Sequence, residues 1–456
     1  MRISAKLVLL WLTLSLPAAA QSPADMPENS WLAVPNSKLE AVASPLSSSS
    51  ELQGNGFYTI VAAWNGAVLD DKRMRLVIWG GGHNDYYGNE MYAFDIATSK
   101  WLQLTEPTLD WANCDDPNAD GTANSRHTYN GMSYLSHADR FFVSGGALNC
   151  TSGSCGASLT WTFDFDNTSW QNMQPSGEHA TGCENNSSYD PGTKNVYFGD
   201  ASGLYGYSYD SNAWSQLNDD YIYAMTSTVD TKRGLLVMVG GGEVWAYDAK
   251  NGDFTREDWA TTGGDEFIQH SSPGLAYDPT TDRIVGWAGG AVYVLDIDAK
   301  VWTTYDPPGA PEPTEQGIFG RFRYVPTVNA FILVTATDVD VHWFKLSSGG
   351  SLPPPNTGGS GGAGAGSGQG GTGNPGGGNA GVSSGGQPGS GGSSATPADA
   401  SDDGGCGCRA TRAPASAWLS LALAALCALA RRRQSHLRIR PSCMVDATSV
   451  PSSRKN

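Results

Sequence analysis

The sequence predicts an all-β chain: six four-stranded sheets arranged as the blades of a β-propeller. Three observations predict it. One phrase recurs about six times between residues 59 and 346, at the 40–50-residue spacing of toroidal or stacked β arrays. Each copy holds short alternating runs such as Ala93-Phe94-Asp95-Ile96 and Val292-Tyr293-Val294-Leu295, the period of a half-buried strand. The last copy is one strand short, and Ser30-Trp31-Leu32-Ala33-Val34 reads as the missing outermost strand, so the ring is expected to close by pairing its two ends.

In each copy a β-rich run ends in small residues, and a second run then leads through Asp to an aromatic residue. The first reads Leu76-Val77-Ile78-Trp79-Gly80-Gly81-Gly82, then Tyr92-Ala93-Phe94-Asp95, then Trp101. It returns as Phe141 to Gly146, Thr162-Phe163-Asp164 and Trp170, then as Val196 to Asp200, Tyr209-Asp210 and Trp214. The next copies run from Leu235 to Gly240 with Tyr247-Asp248 and Phe254, and from Ile284 to Gly290 with Leu295-Asp296 and Trp302. The sixth, Phe331 to Thr337, lacks the glycines. Inner strands are expected to begin near residues 59, 127, 179, 222, 270 and 322. A single blade cannot bury both faces, whereas stacked blades bury them and leave only short edges.

Over roughly residues 30–346 this pattern resembles the kelch repeat of β-propellers, of the galactose-oxidase-like kind: a diglycine after the second strand and a Trp six residues beyond the third. Asp95 to Trp101, Asp164 to Trp170, Asp248 to Phe254 and Asp296 to Trp302 keep that spacing, and Asp210 to Trp214 departs from it. The resemblance implies that these aromatics are core between blades. It says little about function, since one fold hosts many activities.

The flanks read as sorting signals. Residues 1–20 have Arg2 and Lys6, an apolar stretch from Leu7 to Leu16, and Ala18-Ala19-Ala20 as a cleavage site, so the protein is expected to be exported. Residues 347–405, rich in Gly, Ser and Pro, cannot bury enough surface to fold and read as a disordered, flexible linker. Then come Cys406-Gly407-Cys408, an apolar run from Ala413 to Ala430 at the lower limit for a spanning helix, and Arg431-Arg432-Arg433, which would mark the cytoplasmic side. Residues 406–433 resemble the MYXO-CTERM sorting tail of myxobacterial surface proteins. The resemblance implies a sorting protease acting near the Cys pair, with the protein held at the cell envelope or surface, or released. Residues 434–456 are a polar extension outside that pattern.

The chain carries a net charge of −17. The signal holds two basic residues, and residues 409–456 hold nine against one acid, which leaves the exported remainder near about −27. Such a surface disfavours nucleic acid. Cys150 and Cys155 bracket one loop and are expected to pair in an oxidising compartment, leaving Cys114 and Cys183 as a second pair.

In a propeller, the segment leading into each inner strand lies on the same face as the loop between strands two and three. Arg126-His127, Tyr129, His179, Tyr223, His270, Arg321 and Arg323 sit on lead-in segments, and His83, Asp85, Tyr86 and Tyr87 sit on the first two–three loop. Four of the chain's seven His thus belong to one channel mouth, and convergent polar groups in a pocket are the default site. Three roles are open. His127, His179 or Tyr223 as base with Arg321 neutralising a carboxylate would suit β-elimination on uronate polysaccharides. His83, Asp85, His127, His179 and His270 would suit a divalent metal. The third role is structural, with these side chains satisfying buried carbonyls around the channel. The reading that emerges is a surface-tethered module binding extracellular glycan or a surface protein through the His/Arg/Tyr mouth, with a polysaccharide lyase, metal-assisted or not, as the alternative.

Overall fold

The computed structural model describes residues 22–150, 156–180 and 182–355. The expected signal, most of the expected linker, the Cys-Gly-Cys tail with its apolar run, and the polar extension lie outside the described residues. Among the described residues no helix is long and apolar enough to cross a membrane.

Six antiparallel four-stranded sheets form a six-bladed β-propeller. The first blade comprises Val68–Asp70, Arg75–Ile78, Tyr92–Asp95 and Lys100–Gln103, and the second Met132–Leu135, Arg140–Ser144, Thr160–Asp164 and Ser169–Asn172. The third to fifth blades begin with Asn186–Asp190, Thr226–Asp230 and Gly274–Asp278. The sixth contains Phe322–Val325, Ala330–Leu333 and His342–Lys345, and its outermost strand is the N-terminal Ser30–Ala33, paired from Ser30 with Lys345 to Ala33 with His342. The ring closes as expected.

Inner strands start later than the sequence suggests in all blades but the sixth. The largest shift is in the first, where Thr59–Ala62 forms a helical turn instead of a strand. Thr59 donates its hydroxyl to Gly56 O, and Asn65 Nδ2 donates to Thr59 O, which bends the segment before Val68. A two-stranded ribbon, Arg126–His127 against Ala147–Leu148, is an addition to the expected plan.

Burial grades from axis to rim: Gly274–Asp278 is wholly buried, while the outer strand Asp253–Asp258 is largely exposed. Six apolar clusters fill the six interfaces between neighbouring blades. Trp101 packs with Phe94, Ile332 and Trp343 between the sixth and first blades, and Trp170 packs with Val77 and Trp79 between the first and second. Trp214 lies with Phe142 and Phe198, and Trp302 with Val239 and Leu295. The recurrent aromatics are therefore interface core, and their area is the main non-directional force holding the ring.

On the face of the first hairpin turns, one ion network appears twice, three blades apart. Arg73 reaches Asp70, Asp139 and Asp166, and Arg233 reaches Asp230, Asp282 and Asp298. Tyr134 donates to Asp139 as Tyr277 donates to Asp282. Burial and the nearby carboxylates push both tyrosine hydroxyls well above their ordinary range.

The expected disulfides are corrected. Cys114 pairs with Cys150, with Cα atoms 4.3 Å apart, and Cys183 is bonded elsewhere. The cause is a loop crossing: Cys114 N–H donates to Asn149 O at 2.9 Å, which lays the 112–124 loop alongside Cys150.

Candidate functional site

The opposite face carries the lead-in segments, and backbone bonds lace them together around the axis. Tyr129 N–H donates to Trp64 O (2.6 Å), Asn130 to Asn185 O (3.2 Å), Ser272 to Ala224 O (2.8 Å) and Phe319 to Ser272 O (3.1 Å). Trp64, Tyr129, Ala224, Ser272 and Phe319 all hold positive φ, between 48° and 58°. For bulky residues this conformation is uncommon and strained, and such strain gathers where a surface must be held in one shape.

The first two–three loop brings the sharpest chemistry. Gly82, at φ +65°, crosses so close to the second blade that a Cβ would lie 2.2 Å from Arg126 Cα, so only glycine fits. The loop then turns through His83 and Asn84, both left-handed. Asp85 emerges with Oδ2 at 2.6 Å from His127 Nε2 and with Oδ1 accepting from Asn55 Nδ2 at 2.5 Å. His127 is 1 % exposed, lies 5.1 Å from the Trp64 ring and 5.3 Å from His83, and meets Tyr129 edge-on at 6.1 Å. Its Nδ1 makes no hydrogen bond among the described residues.

From Tyr129 the surface runs to Phe319 at 5.9 Å and, around a small pocket, to Glu184, Asn185 and Tyr223. Burial raises the Glu184 carboxyl above its usual range, against the opposing effect of the Tyr223 hydroxyl that donates to it. Tyr223 is 43 % exposed and sits 6.0 Å from Tyr221, 60 % exposed. At the other margin Tyr87 packs against Trp111 at 4.3 Å, the rings tilted by 37°. The mouth thus presents an Asp–His pair and the Glu184 carboxyl, with aromatic pairs at both edges.

The structure brings His83, Asp85, Tyr87, His127, Tyr129 and Tyr223 to this surface and separates the rest. Tyr86 is fully buried, its hydroxyl donating to Glu90 Oε1 at 2.6 Å, so it offers no face to a ligand. Tyr129, 1 % exposed, contributes mainly an edge within the surface. Arg126 is buried and committed to Asp116 at 2.7 Å. Arg321, 0 % exposed, spends its donors on Ile318 O, Thr314 Oγ1, Gly317 O and the carbonyls of Val334 and Thr335, so it does not reach the mouth. Arg323 turns into the axial channel, with Nη2 on Ala67 O. His179 lies out over the outer strand of the third blade, stacked on Trp214 at 5.4 Å with Nε2 on Ser158 O. His270 is exposed beyond the turn Asp265–Ile268. Among the described residues no group of three or more His, Cys, Asp or Glu side chains is arranged to hold a metal ion. His83, Asp85 and His127 are adjacent, without the fourth and fifth expected ligands.

Trp64, Trp111, Glu184 and Tyr221 escaped the sequence reading. Trp64 stands outside the repeat's Trp position, which in retrospect marks it as unneeded for blade packing.

No protein-family profile matches the chain. No curated protein matches it either. Among solved structures 627 chains match. One, from a structure described as a nidogen/laminin complex, aligns over 53 % of this chain and 80 % of its own length, with 11 % identity and a TM-score of 0.36.

Proposed function

We propose that this is an exported, surface-tethered propeller of kelch type that binds an extracellular glycan across the mouth built from His83, Asp85, His127, Glu184 and Tyr223. The observation that carries the reading is the pairing of aromatic surfaces with oriented polar groups on one strained, laced face. Tyr87–Trp111 and Tyr221–Tyr223 bracket the Asp85–His127 contact. Sugar rings offer apolar faces to aromatic side chains and hydroxyls to such polar groups, which is how concave sites combine affinity with orientation.

Elimination on a uronate is the second reading. The Asp85–His127 pair favours it, since a carboxylate-oriented imidazole suits a general base, although His127 is 1 % exposed. Against it, none of the described arginines expected at the mouth reaches it: Arg126 and Arg321 are buried in other contacts and Arg323 faces the channel. A binding module needs no such cation, and it is the reading we adopt.

The test uses the purified propeller against a panel of neutral and acidic polysaccharides, by affinity electrophoresis and by absorbance at 235 nm for unsaturated uronate. Retardation by a glycan that weakens in Tyr223→Ala and Asp85→Asn, with no rise in absorbance, supports binding. A rise lost in His127→Gln would establish a lyase instead. Neither signal with any glycan would sink both readings.

A further inference from the structure

The axial channel opens on the opposite face, among the first hairpin turns, as a cavity of about 250 Å³ bordered there by Asp71, Ser136, Pro191 and Thr231. Arg323 lines it. Its Nε donates to Ala67 O (3.2 Å) and Gly320 O (2.7 Å), and its Nη2 to Ala67 O (3.0 Å) and Asn130 Oδ1 (3.4 Å). All are neutral acceptors. Among the described residues no carboxylate pairs with this guanidinium, and Nη1 has no acceptor.

That is unusual for this chain. Arg73, Arg75, Arg126, Arg140, Arg233, Arg256 and Arg283 each meet an Asp. Arg321 lacks one but is sealed among carbonyls and Thr314. Only Arg323, among the described arginines, brings an uncompensated charge to open volume. Arg323 is half-buried, and even a charge partly withdrawn from water is costly unless paired. Burial lowers its pKa to about 10, which leaves it cationic at neutral pH.

The walls define what could pair with it. Ser133, Ser136, Ser188 and Thr228 line the cavity. Ser133 Oγ is shared with Ser187 Oγ (3.0 Å), Ser188 Oγ with Ser227 Oγ (2.7 Å), and Thr228 Oγ1 accepts from Tyr277 N–H (3.2 Å), so these three offer a ligand only their remaining hydroxyl capacity. Asp71 is the charged group facing the ligand from the rim, and its carboxyl is raised by burial and by Asp70 and Asp139. A rim carboxylate disfavours dianions such as sulfate or phosphate. At roughly 30 Å³ per water, the volume holds about eight waters or one molecule of a few carbon atoms.

We infer that the channel is a binding site for a small hydroxylated monocarboxylate, its carboxylate on Arg323 and its hydroxyls on the serine and threonine wall. The site opens on the face opposite the mouth, though Asn130 and Gly320, which hold Arg323, adjoin the mouth residues Tyr129 and Phe319.

The test is calorimetric titration of the purified propeller with lactate, glycolate and glucuronate at neutral pH and fixed ionic strength, with sulfate and chloride as comparators. Saturable one-to-one binding near a Kd of about 1 mM is expected for at least one carboxylate. It should weaken at least about tenfold in Arg323→Gln, the loss of one charge-assisted contact. Asp71→Asn, at the rim, should tighten binding severalfold. No saturation in the wild type, or undiminished affinity in a folded Arg323→Gln protein, overturns the inference. If Arg323→Gln fails to fold, Asp71→Asn decides, and unchanged or weaker binding there rejects the site.

Discussion

His127 Nε2 and Asp85 Oδ2 stand 2.6 Å apart, and this contact joins the two–three loop of the first blade to the segment leading into the second. The pair is half of a site only because the blades hold it. Asp85 is fixed on its other oxygen by Asn55, from the segment before the first blade, so three stretches of chain meet at one carboxylate.

If the proposed glycan binding holds, Asp85→Asn should weaken it about tenfold, the usual worth of a hydrogen bond to a charged group. Stability should change little, because asparagine keeps the shape and Asp85 is partly solvated. Isothermal titration with the retained glycan, beside urea denaturation of both proteins, checks the split.

Trp31→Ala should destabilise the propeller by about 3–5 kcal/mol, the range for emptying a large aromatic site. Trp31 lies 5.5 Å from Trp287 and 5.0 Å from Phe344, so the closing strand also grips the fifth blade. Urea unfolding should show a lower midpoint, and an unchanged midpoint would mean that the ring does not depend on this strand.

Acid should loosen the paired ion networks. Arg73 and Arg233 hold the carboxyls of Asp139 and Asp282 well below the usual carboxylate range. A depressed carboxyl stabilises fully above its unfolded pKa of about 3.9 and loses that contribution as pH falls toward the folded value. The Asp139→Asn, Asp282→Asn double variant should be less stable at pH 7 and should show a shallower decline from pH 5 to pH 2. Denaturation midpoints across that range test it.

Glu90 should show the reverse sign. It is wholly buried, with Oε1 accepting from Tyr86, Ser47 and Tyr92, and burial raises its pKa. A raised carboxyl stabilises below its unfolded pKa and loses that contribution as pH climbs through the folded value. Glu90→Gln, neutral and nearly isosteric, should match the wild type at pH 4 and exceed it in thermal midpoint at pH 8. A lower midpoint at pH 8 would mean that the ionised form is the one the hydroxyls were built for.

The fold was legible because its signals are local. The Asp95-to-Trp101 spacing records a hairpin and its interface aromatic, and Phe94 does pack on Trp101 at 5.4 Å. Thr59-Ile60-Val61 misled because β-branched residues favour strands, while a short contact to Gly56 O decides for a turn. The site was half legible. The loop positions of His83, Asp85 and His127 follow from blade geometry. The burial of Arg321 depends on carbonyls from Gly317 to Thr335, and the Cys114–Cys150 bridge depends on a loop crossing, neither of which has a mark in the sequence. Glu184 and Trp64 belong to no motif, and only the mouth's assembly gives them company.

The pairing of Ser30–Ala33 with His342–Lys345 also sets an order of assembly. The ribosome delivers the first of these strands long before its partner exists. Five blades and most of a sixth must wait beside an unfilled edge, and a single late zipper converts that open stack into a closed ring. Loop-closure entropy slows such a distant pairing, so the last step of folding is where a chaperone, or a competing edge from a second molecule, would intervene. The same contact brings Asn29 and Leu346 within hydrogen-bonding distance, at 3.3 Å. A short peptide could therefore join them, and a gene cut between any two blades would encode the same ring with its seam moved.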